Sequence, residues 1–254
     1  MSFSTTDNPA VPPRHATLRG MHQAIVFDFD GVLVDSEPMH FAAIREVAGE
    51  LGVELDETLY RRVFIGFDDR DSFRALLSMR AGGPPDPDAI DPPQEAEVHR
   101  LCVRKQEVFD HAVATGVEPL PGVRELLDDL AGTLPLAIAS GATRQDIDGI
   151  LHGLGWRQRF EIMVTADDVA RSKPDPQTYA LAVERLAART TPPVRPATCL
   201  AIEDTATGLE AATSAGLRTL AVCTTTPASS LQAAERVVPS LEGVTREQLQ
   251  RWFA

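Results

Sequence analysis

Two aspartates directly follow an apolar run near the start of the chain. Residues 24–27 read AIVF, and Asp28-Phe29-Asp30-Gly31 comes next. Apolar, β-prone residues that stop abruptly at acids and a glycine predict a buried strand that delivers Asp28 and Asp30 to the carboxyl edge of a sheet. One carboxylate could then attack while the other moves a proton, because burial and a nearby cation can separate their pKa values. The alternative interpretation is an acidic turn between a strand and a loop.

Polar residues also follow three later strands that the sequence predicts. They complement the two aspartates in charge and hydrogen bonding: Ser140-Gly141, Lys173-Pro174 and Glu203-Asp204. With the first motif they resemble the haloacid dehalogenase superfamily, whose four motifs are an Asp-x-Asp-Gly strand end, a Ser or Thr, a Lys, and an acidic pair. The resemblance covers about 24–223 and is closest to the branch with a helical cap inserted after the first strand. This branch includes sugar-phosphate phosphatases and β-phosphoglucomutases.

The resemblance implies different roles for the two aspartates. Asp28 matches the nucleophile that forms an aspartyl-phosphate. Asp30 matches the acid/base residue that protonates the leaving sugar oxygen and then activates water. A halide leaves without a proton, and the dehalogenases of this superfamily lack an acid at that second position. We therefore expect phosphoryl transfer rather than dehalogenation.

An attacking carboxylate and a phosphate repel each other, so this chemistry needs placed positive charge. A hard divalent cation such as Mg²⁺ prefers oxygen ligands and can lie between the two anions. By resemblance its ligands are Asp28, the backbone carbonyl of Asp30, and Asp204, with Glu203 either a ligand or a residue behind the ligands. The alternative for Glu203-Asp204 is an ordinary acidic helix start, since acids suit helix N-termini.

Two further positions resemble the phosphate-binding residues of the family. Ser140 matches the hydroxyl that holds a phosphate oxygen, helped by the N–H of Gly141 ahead of a predicted helix. Lys173 matches the lysine that bridges nucleophile and phosphate. The alternatives are a plain Ser-Gly turn and a solvated lysine in a loop.

Three residues of the predicted cap are candidate substrate contacts. His40 lies in a segment that resembles the hinge of this branch, where a His is common in phosphatases and mutases alike. Lys105, with Arg104, resembles a basic position on the long cap helix. Arg70 follows a glycine-containing segment close to the position where the mutases carry a substrate-gripping Arg. The alternatives are a helix-surface histidine and a solvated helix face.

The register around Arg70 departs from the mutase pattern. Aligning on Asp71-Ser72 places Asp69, not Arg70, at the position of the mutase arginine. A mutase needs a cap cation to hold the second phosphate of its substrate. The departure therefore favours a phosphatase.

These residues need a parallel sheet to bring them together. After residue 117 the sequence predicts helices at 121–130, 143–152, 175–188 and 205–215 that alternate with strands at 134–139, 161–164, 198–202 and 218–223. Such alternation is typical of a parallel sheet covered on both faces. Residues that follow its strands meet at the carboxyl edge. We expect an α/β fold with a Rossmann-like core formed by 21–36 and 117–254.

Helical patterns fill the interval between the first predicted strand and the second. They predict helices at 57–64 and 70–80, a loop rich in Pro and Asp at 82–93, and a long amphipathic helix after it. A strand and helix would normally lead directly to the next parallel strand, so this interval is an insertion. We expect a helical cap domain at 37–116.

Composition limits the partners of the protein. A net charge of −13 over 254 residues, with a pI of about 4.9, argues against nucleic acid. The three cysteines are odd in number and lack Cys-x-x-Cys spacing, which fits a reducing cytoplasm. Residues 1–20 are expected to form a flexible tail, and no apolar run approaches the length of a membrane span. We expect a soluble monomer without a membrane partner.

The sequence therefore predicts a Mg²⁺-dependent phosphatase that acts on a small phosphorylated metabolite, a sugar phosphate by resemblance. The first alternative is a sugar phosphomutase with the same residues, in which the phosphoryl group returns to another hydroxyl. The second is a non-catalytic binding protein on this fold. Retention of the five residues that carry the chemistry argues against a binding protein: Asp28, Asp30, Ser140, Lys173 and Asp204.

Overall fold

A six-stranded parallel sheet lies at the centre of the computed structural model, which describes residues 23–64, 67, 69–88 and 95–253. The strands are β1 (Ala24–Phe27), β2 (Leu136–Ala139), β3 (Ile162–Val164), β4 (Cys199–Glu203), β5 (Arg218–Val222) and β6 (Arg236–Val238). Their order is β3-β2-β1-β4-β5-β6. The predicted α/β core is confirmed, while the predicted tail at 1–20 lies outside the described residues.

A helical insertion separates β1 from β2 in the chain. Its elements are α1 (Glu37–Glu50), α2 (Glu57–Leu59) with a π-helical turn at Tyr60–Phe64, α3 (Asp69–Arg80) and α4 (Glu95–Thr115). These helices bury an apolar cluster of their own, which includes Ile44, Phe73 and Val98. The inserted helical cap is therefore present, and its limits at 37 and 116 stay a prediction. The sequence also predicts a helix break at Gly66, which lies outside the described residues together with 89–93 of the predicted loop.

The remaining helices cover the two faces of the sheet. They are α5 (Val123–Leu130), α6 (Arg144–Gly153), α7 (Gln177–Ala187), α8 (Ala206–Ser214) and α9 (Arg246–Trp252). Alternate residues of β1 point to opposite faces, as a strand requires. Ile25 and Phe27 pack with α5, α6 and α9, whereas Ala24 and Val26 pack with α7 and α8. All four are almost completely buried.

The register of the sheet aligns the strand ends that carry polar residues. Phe27 lies opposite Ile138 of β2 and Ile202 of β4, so the residues after β1, β2 and β4 emerge side by side. The backbone N–H of Asp28 continues the ladder by donating to the carbonyl of Ile202 at 2.9 Å. Within the described residues, no helix has the length and apolarity that crossing a membrane requires.

Candidate active site

Lys173 connects two acids at the carboxyl edge of the sheet. Its Nζ lies 2.9 Å from Oδ1 of Asp28 and 2.6 Å from Oε1 of Glu203. Asp28 follows β1, Glu203 ends β4, and Lys173 comes from the loop before α7. Three residues that are distant in sequence thus form one buried charged cluster, as the sequence predicted for the strand ends.

Burial and charge act in opposite directions within this cluster. Burial raises the pKa of Asp28 well above its usual value, the charge of Glu203 raises it further, and Lys173 opposes both. Burial alone would lower the pKa of Lys173, but the charges of Asp28 and Glu203 outweigh burial and hold that pKa above its usual value. Lys173 therefore stays cationic and supplies fixed positive charge beside the carboxylate of Asp28.

Glu203 is fully buried, and both of its carboxylate oxygens accept hydrogen bonds. Oε1 accepts from Lys173 and, at 2.8 Å, from the hydroxyl of Tyr179. Oε2 accepts from the backbone N–H groups of Asp204 and Thr205 and from the Thr205 hydroxyl at 3.0–3.2 Å. Burial opposes the charge of Glu203, yet Lys173 and these donors hold its pKa below the usual value. The carboxylate is an anchor for Lys173.

Asp204 carries the one atom of this cluster that suggests a missing ligand. Its Oδ1 is buried and has no hydrogen-bond partner among the described residues. Burial raises the pKa of Asp204 to about 6, although a hydrogen bond with Thr225 opposes the shift. Oxygens of Asp28, Glu203 and Asp204 lie within 4.8 Å of one another. An oxygen-only set with one orphaned carboxylate atom fits a hard divalent cation.

Gly31 allows Asp204 to approach the loop after β1. A Cβ atom at Gly31 would lie 1.9 Å from Oδ2 of Asp204, and the φ of +74° also disfavours other residues. The motif Asp-x-Asp-Gly therefore needs a glycine at this position, because Asp204, which follows β4, packs directly against it.

Asp30 is held by Ser36, a contact that the sequence did not reveal. The Ser36 hydroxyl donates a short hydrogen bond to Oδ1 of Asp30. The position of Ser36 two residues before Pro38 predicts a helix cap, but its side chain makes no capping hydrogen bond to α1. Burial raises the pKa of Asp30 to about 6, and the bond from Ser36 opposes that shift. A Ser shortly before a Pro is a common helix start, so no sequence pattern indicated the contact of Ser36 with Asp30.

A cavity of about 480 Å³ opens over the clustered residues, and we call it the catalytic cavity. The predicted site residues that line it are Asp28, Asp30, Ser140, Gly141, Lys173 and Asp204. Ser140 is buried, and its Oγ accepts a hydrogen bond from the N–H of Ala142 at 3.0 Å. Arg61, from the π-helical turn of the cap, also lines the cavity and pairs with Glu57 on the surface. No motif pointed to Arg61.

A neighbouring cavity of about 460 Å³ lies against the cap helices, and we call it the cap cavity. It is lined by all three predicted cap contacts, His40, Arg70 and Lys105. The solvated-face interpretation is wrong for Lys105, whose side chain is 1% exposed, and it applies to Arg104, which pairs with surface acids. The helix turns by about 100° per residue, so adjacent residues face different environments.

His40 and Arg70 differ in how they meet the cap cavity. The His40 ring stacks on Phe109 with centroids 4.4 Å apart and lies 3.0 Å from Nζ of Lys105. It is therefore half-buried between helices rather than a helix-surface residue. Arg70 is 62% exposed and lies 3.3 Å from Glu95. Its guanidinium belongs to the rim of the cavity.

A parallel α/β core with a helical insertion after β1, and with two acids and a lysine at the strand ends, defines a class of capped hydrolases. The family model for haloacid dehalogenase-like hydrolases matches residues 22–216. The chain belongs to this family, and it is a phosphoric monoester hydrolase.

Named relatives cover most of the chain. It is 33% identical to a phosphorylated carbohydrates phosphatase from Thermotoga maritima, over 77% of this chain and 82% of that protein. It is 30% identical to the fructose-1-phosphate phosphatase YqaB from Escherichia coli, over 77% of this chain and 94% of that protein. A crystal structure of a CbbY variant from Rhodobacter sphaeroides with xylulose 1,5-bisphosphate has a TM-score of 0.71 and 28% identity, covering 90% of this chain and 99% of that one.

Proposed function

We propose that the protein is a Mg²⁺-dependent phosphatase of phosphorylated sugars that works through an aspartyl-phosphate on Asp28. The observation that carries the proposal is the contact of Lys173 with both Asp28 and Glu203 beneath the catalytic cavity. The contact fixes a cation beside a buried carboxylate that opens onto a space for substrate. Two relatives, a phosphorylated carbohydrates phosphatase and a fructose-1-phosphate phosphatase, support the substrate class.

In the first step a carboxylate oxygen of Asp28 attacks the phosphorus atom. The Asp28 oxygen–phosphorus bond forms, and the bond from phosphorus to the sugar oxygen breaks. Asp30 gives its proton to the leaving sugar oxygen, so the sugar departs as a neutral alcohol. The raised pKa of Asp30, about 6, keeps part of this acid protonated near neutrality. The hydrogen bond from Ser36 fixes the position of its carboxyl group.

In the second step water hydrolyses the aspartyl-phosphate. Asp30, now a carboxylate, takes a proton from the water while the water oxygen bonds to phosphorus. The bond from phosphorus to Asp28 breaks, which restores the Asp28 carboxylate and releases inorganic phosphate. Asp30 finishes protonated, so the enzyme returns to its starting state.

Positive charge and hydrogen-bond donors must stabilise the phosphoryl group in both steps. Lys173 supplies a fixed charge, and Ser140 with the N–H of Gly141, which also line the catalytic cavity, supplies donors. Mg²⁺, when bound, would neutralise charge between nucleophile and phosphate. We assign its ligands to Asp28, Asp204 and the backbone carbonyl of Asp30. The saturated hydrogen bonds of Glu203 favour a place behind these ligands.

A substrate screen tests the proposal. The purified protein is incubated with Mg²⁺ and a panel of hexose, pentose and polyol phosphates, and both inorganic phosphate and isomerised sugar phosphates are measured. We expect phosphate release from several sugar phosphates. Absence of phosphate release across the panel would contradict the proposal. That the enzyme is monomeric and cytoplasmic stays a prediction.

The alternative function is a sugar phosphomutase. The buried cation Lys105 in the cap cavity favours it, because a mutase must hold a second phosphate there. The ion pair between Lys105 and Asp69 at 3.0 Å argues against a mutase, because the charge of Lys105 is already balanced by a carboxylate.

A further inference from the structure

The cap cavity adjoins the catalytic cavity, so its chemistry bears on the part of the substrate that is not phosphate. Four residues line both cavities: Asp30, Glu37, Gly141 and Ala142. A phosphate held beside Asp28 leaves the rest of its molecule to extend past these residues toward the cap. The inference developed from this geometry rests on the proposed phosphatase function.

Lys105 is the buried cation of the cap cavity, and its charge is already balanced by the carboxylate of Asp69. Its Nζ lies 3.0 Å from Oδ2 of Asp69 and 3.0 Å from Nδ1 of His40, with the Phe109 ring centroid at 5.0 Å. A second phosphate on the substrate would have to displace the carboxylate of Asp69 or bind beside it. Either arrangement is unfavourable, because two anions would share one desolvated cation.

His40 adds no positive charge. Burial, with the charge of Lys105 beside the ring, lowers the pKa of His40 to about 4, so the imidazole is neutral near pH 7. The ammonium of Lys105 can only donate, so Nδ1 of His40 accepts and Nε2 carries the proton. The ring therefore offers a neutral N–H donor.

The other charged groups of the cap cavity make it unsuitable for an anion. Glu37 and Asp146 add carboxylates to that of Asp69. Arg70, the second cation among the described lining residues, is 62% exposed and lies against Glu95. With Asp30 at the boundary of the two cavities, a phosphate in this cavity would meet four acidic side chains, while both cations already face acids.

A polyol suits the same surroundings. Its hydroxyls can donate to the carboxylates, and they can accept from the third N–H of Lys105 and from His40. Tyr60 and Phe67 also line the cavity, and aromatic rings can pack against the C–H groups of a sugar. The Tyr60 hydroxyl is bonded to Glu37 at 2.5 Å, which fixes the position of this ring.

We propose that the end of the substrate remote from the scissile phosphate is an uncharged polyol, and that Asp69 excludes a second phosphate there by holding Lys105. Asp69 is then a specificity-determining residue that acts through the position and charge of Lys105. The substrate class is the monophosphates of sugars and polyols, as distinct from their bisphosphates.

Steady-state kinetics with fructose 1-phosphate and fructose 1,6-bisphosphate test this inference. The wild-type protein is compared with Asp69→Asn, which keeps the size of the side chain, and with Asp69→Glu, which restores a carboxylate. The matched control is Asp71→Asn on the same helix, because Asp71 pairs with Arg74 and is not a lining residue of either cavity. Circular dichroism and thermal unfolding confirm that each variant is folded.

We expect the wild type to prefer the monophosphate by at least about tenfold in kcat/KM. Asp69→Asn should reduce the ratio of the two kcat/KM values at least about fivefold, through a lower KM for the bisphosphate. Asp69→Glu should restore the wild-type ratio. Asp71→Asn should leave the ratio unchanged. If Asp69 had a purely structural role, its replacement would change kcat/KM by the same factor for both substrates. Equal kcat/KM values in the wild type, or an unchanged preference in Asp69→Asn, would overturn the inference.

The failure of the proposed function can be told apart from the failure of this inference. A relative of known structure holds a sugar bisphosphate, so a bisphosphate can bind on this fold. If the wild type releases no phosphate from either sugar, the proposed function fails. Calorimetric titration of the inactive protein with the same two sugars then decides the inference. A Kd for the monophosphate at least about tenfold below that of the bisphosphate supports it, and equal Kd values overturn it.

Discussion

Lys173 Nζ lies 2.9 Å from Oδ1 of Asp28, and both side chains are only 11% exposed. The pair joins a loop before α7 to the end of β1, so one ammonium both stabilises a buried carboxylate and faces the catalytic cavity. On its other side the same ammonium contacts Glu203, whose remaining lone pairs are satisfied by the polypeptide. Two buried carboxylates thus depend on one ammonium for their counter-charge.

Replacement of Lys173 by Met should remove activity and destabilise the protein. The carboxylates of Asp28 and Glu203 would then share a buried region without a counter-charge, which costs on the order of 3 kcal/mol. Phosphate release and the free energy of unfolding in urea measure the two effects. Arg171→Met is the control, since Arg171 is 76% exposed in the same loop. An active Lys173→Met protein would contradict the assigned role.

Replacement of Asp28 by Asn should abolish turnover while the fold is kept. The amide has the size of the carboxylate but cannot form the aspartyl-phosphate, so kcat should fall by at least about three orders of magnitude. Phosphate release and circular dichroism measure activity and fold. Asp148→Asn, on the surface of α6, should retain wild-type activity. Phosphate release near the wild-type rate from Asp28→Asn would exclude Asp28 as the nucleophile.

The parts of the site that follow strands could be predicted from the sequence. Asp28, Ser140 and Glu203 each end a short apolar run, and a parallel sheet gathers such residues at one edge. The element limits differ from the predictions by only a few residues, because apolar periodicity and helix caps are local signals. Helix α3, for example, begins at Asp69, one residue before the predicted start.

Contacts that depend on packing between distant helices could not be predicted. Lys105 contacts Asp69, which lies 36 residues earlier in the sequence, and His40, which lies 65 residues earlier. No local sequence pattern predicts either contact. Ser36 resembled a helix cap, and its bond to Asp30 depends on how the loop after β1 folds back. The sequence identified the chemistry of the core edge, while the cap surfaces required three-dimensional structure.

Removal of divalent cations should abolish activity, and Mg²⁺ should restore it. The orphaned Oδ1 of Asp204 and the nearby Asp28 carboxylate form an oxygen site that suits Mg²⁺. Ca²⁺ should inhibit, because its larger and less regular shell misplaces nucleophile and phosphate. Activity is measured after chelation and after each cation is added back.

Calorimetry tests the same metal site without turnover. Asp204→Asn should weaken Mg²⁺ binding by at least about tenfold, since it removes a charged ligand. The control Glu210→Gln changes an exposed acid on α8 and should bind Mg²⁺ as the wild type does. Full activity after chelation, or a requirement for Zn²⁺, would refute the metal assignment.

Replacement of His40 by Gln should reduce the loss of folding stability that occurs as the pH falls from 7 to 4. The pKa of His40 falls from 6.5 to about 4 on folding, so between these values the unfolded chain binds a proton that the folded chain does not. Stability from this group is complete above pH 6.5 and declines as the pH falls toward 4, by at most about 3 kcal/mol. Charged neighbours of the ring are Lys105, which favours the neutral form, and Asp146, which opposes it.

Unfolding free energies in urea at pH 7, 5 and 4 measure this effect. The loss between pH 7 and pH 4 should be smaller in His40→Gln than in the wild type. His152→Gln, which alters an exposed histidine of α6, is the control and should follow the wild type. Identical losses in His40→Gln and wild type would show that His40 is not a buried neutral histidine.

Between phosphatase and mutase, we predict net release of phosphate. A mutase must hold a bisphosphorylated intermediate by both ends, which requires a cap cation free to grip the second phosphate. Here Lys105 is paired with Asp69, and Arg70 lies at the exposed rim against Glu95. Phosphorus NMR of the enzyme with Mg²⁺, β-glucose 1-phosphate and a trace of glucose 1,6-bisphosphate resolves the two reactions. Steady growth of the inorganic phosphate signal supports the phosphatase, whereas accumulation of glucose 6-phosphate with little inorganic phosphate would establish the mutase instead.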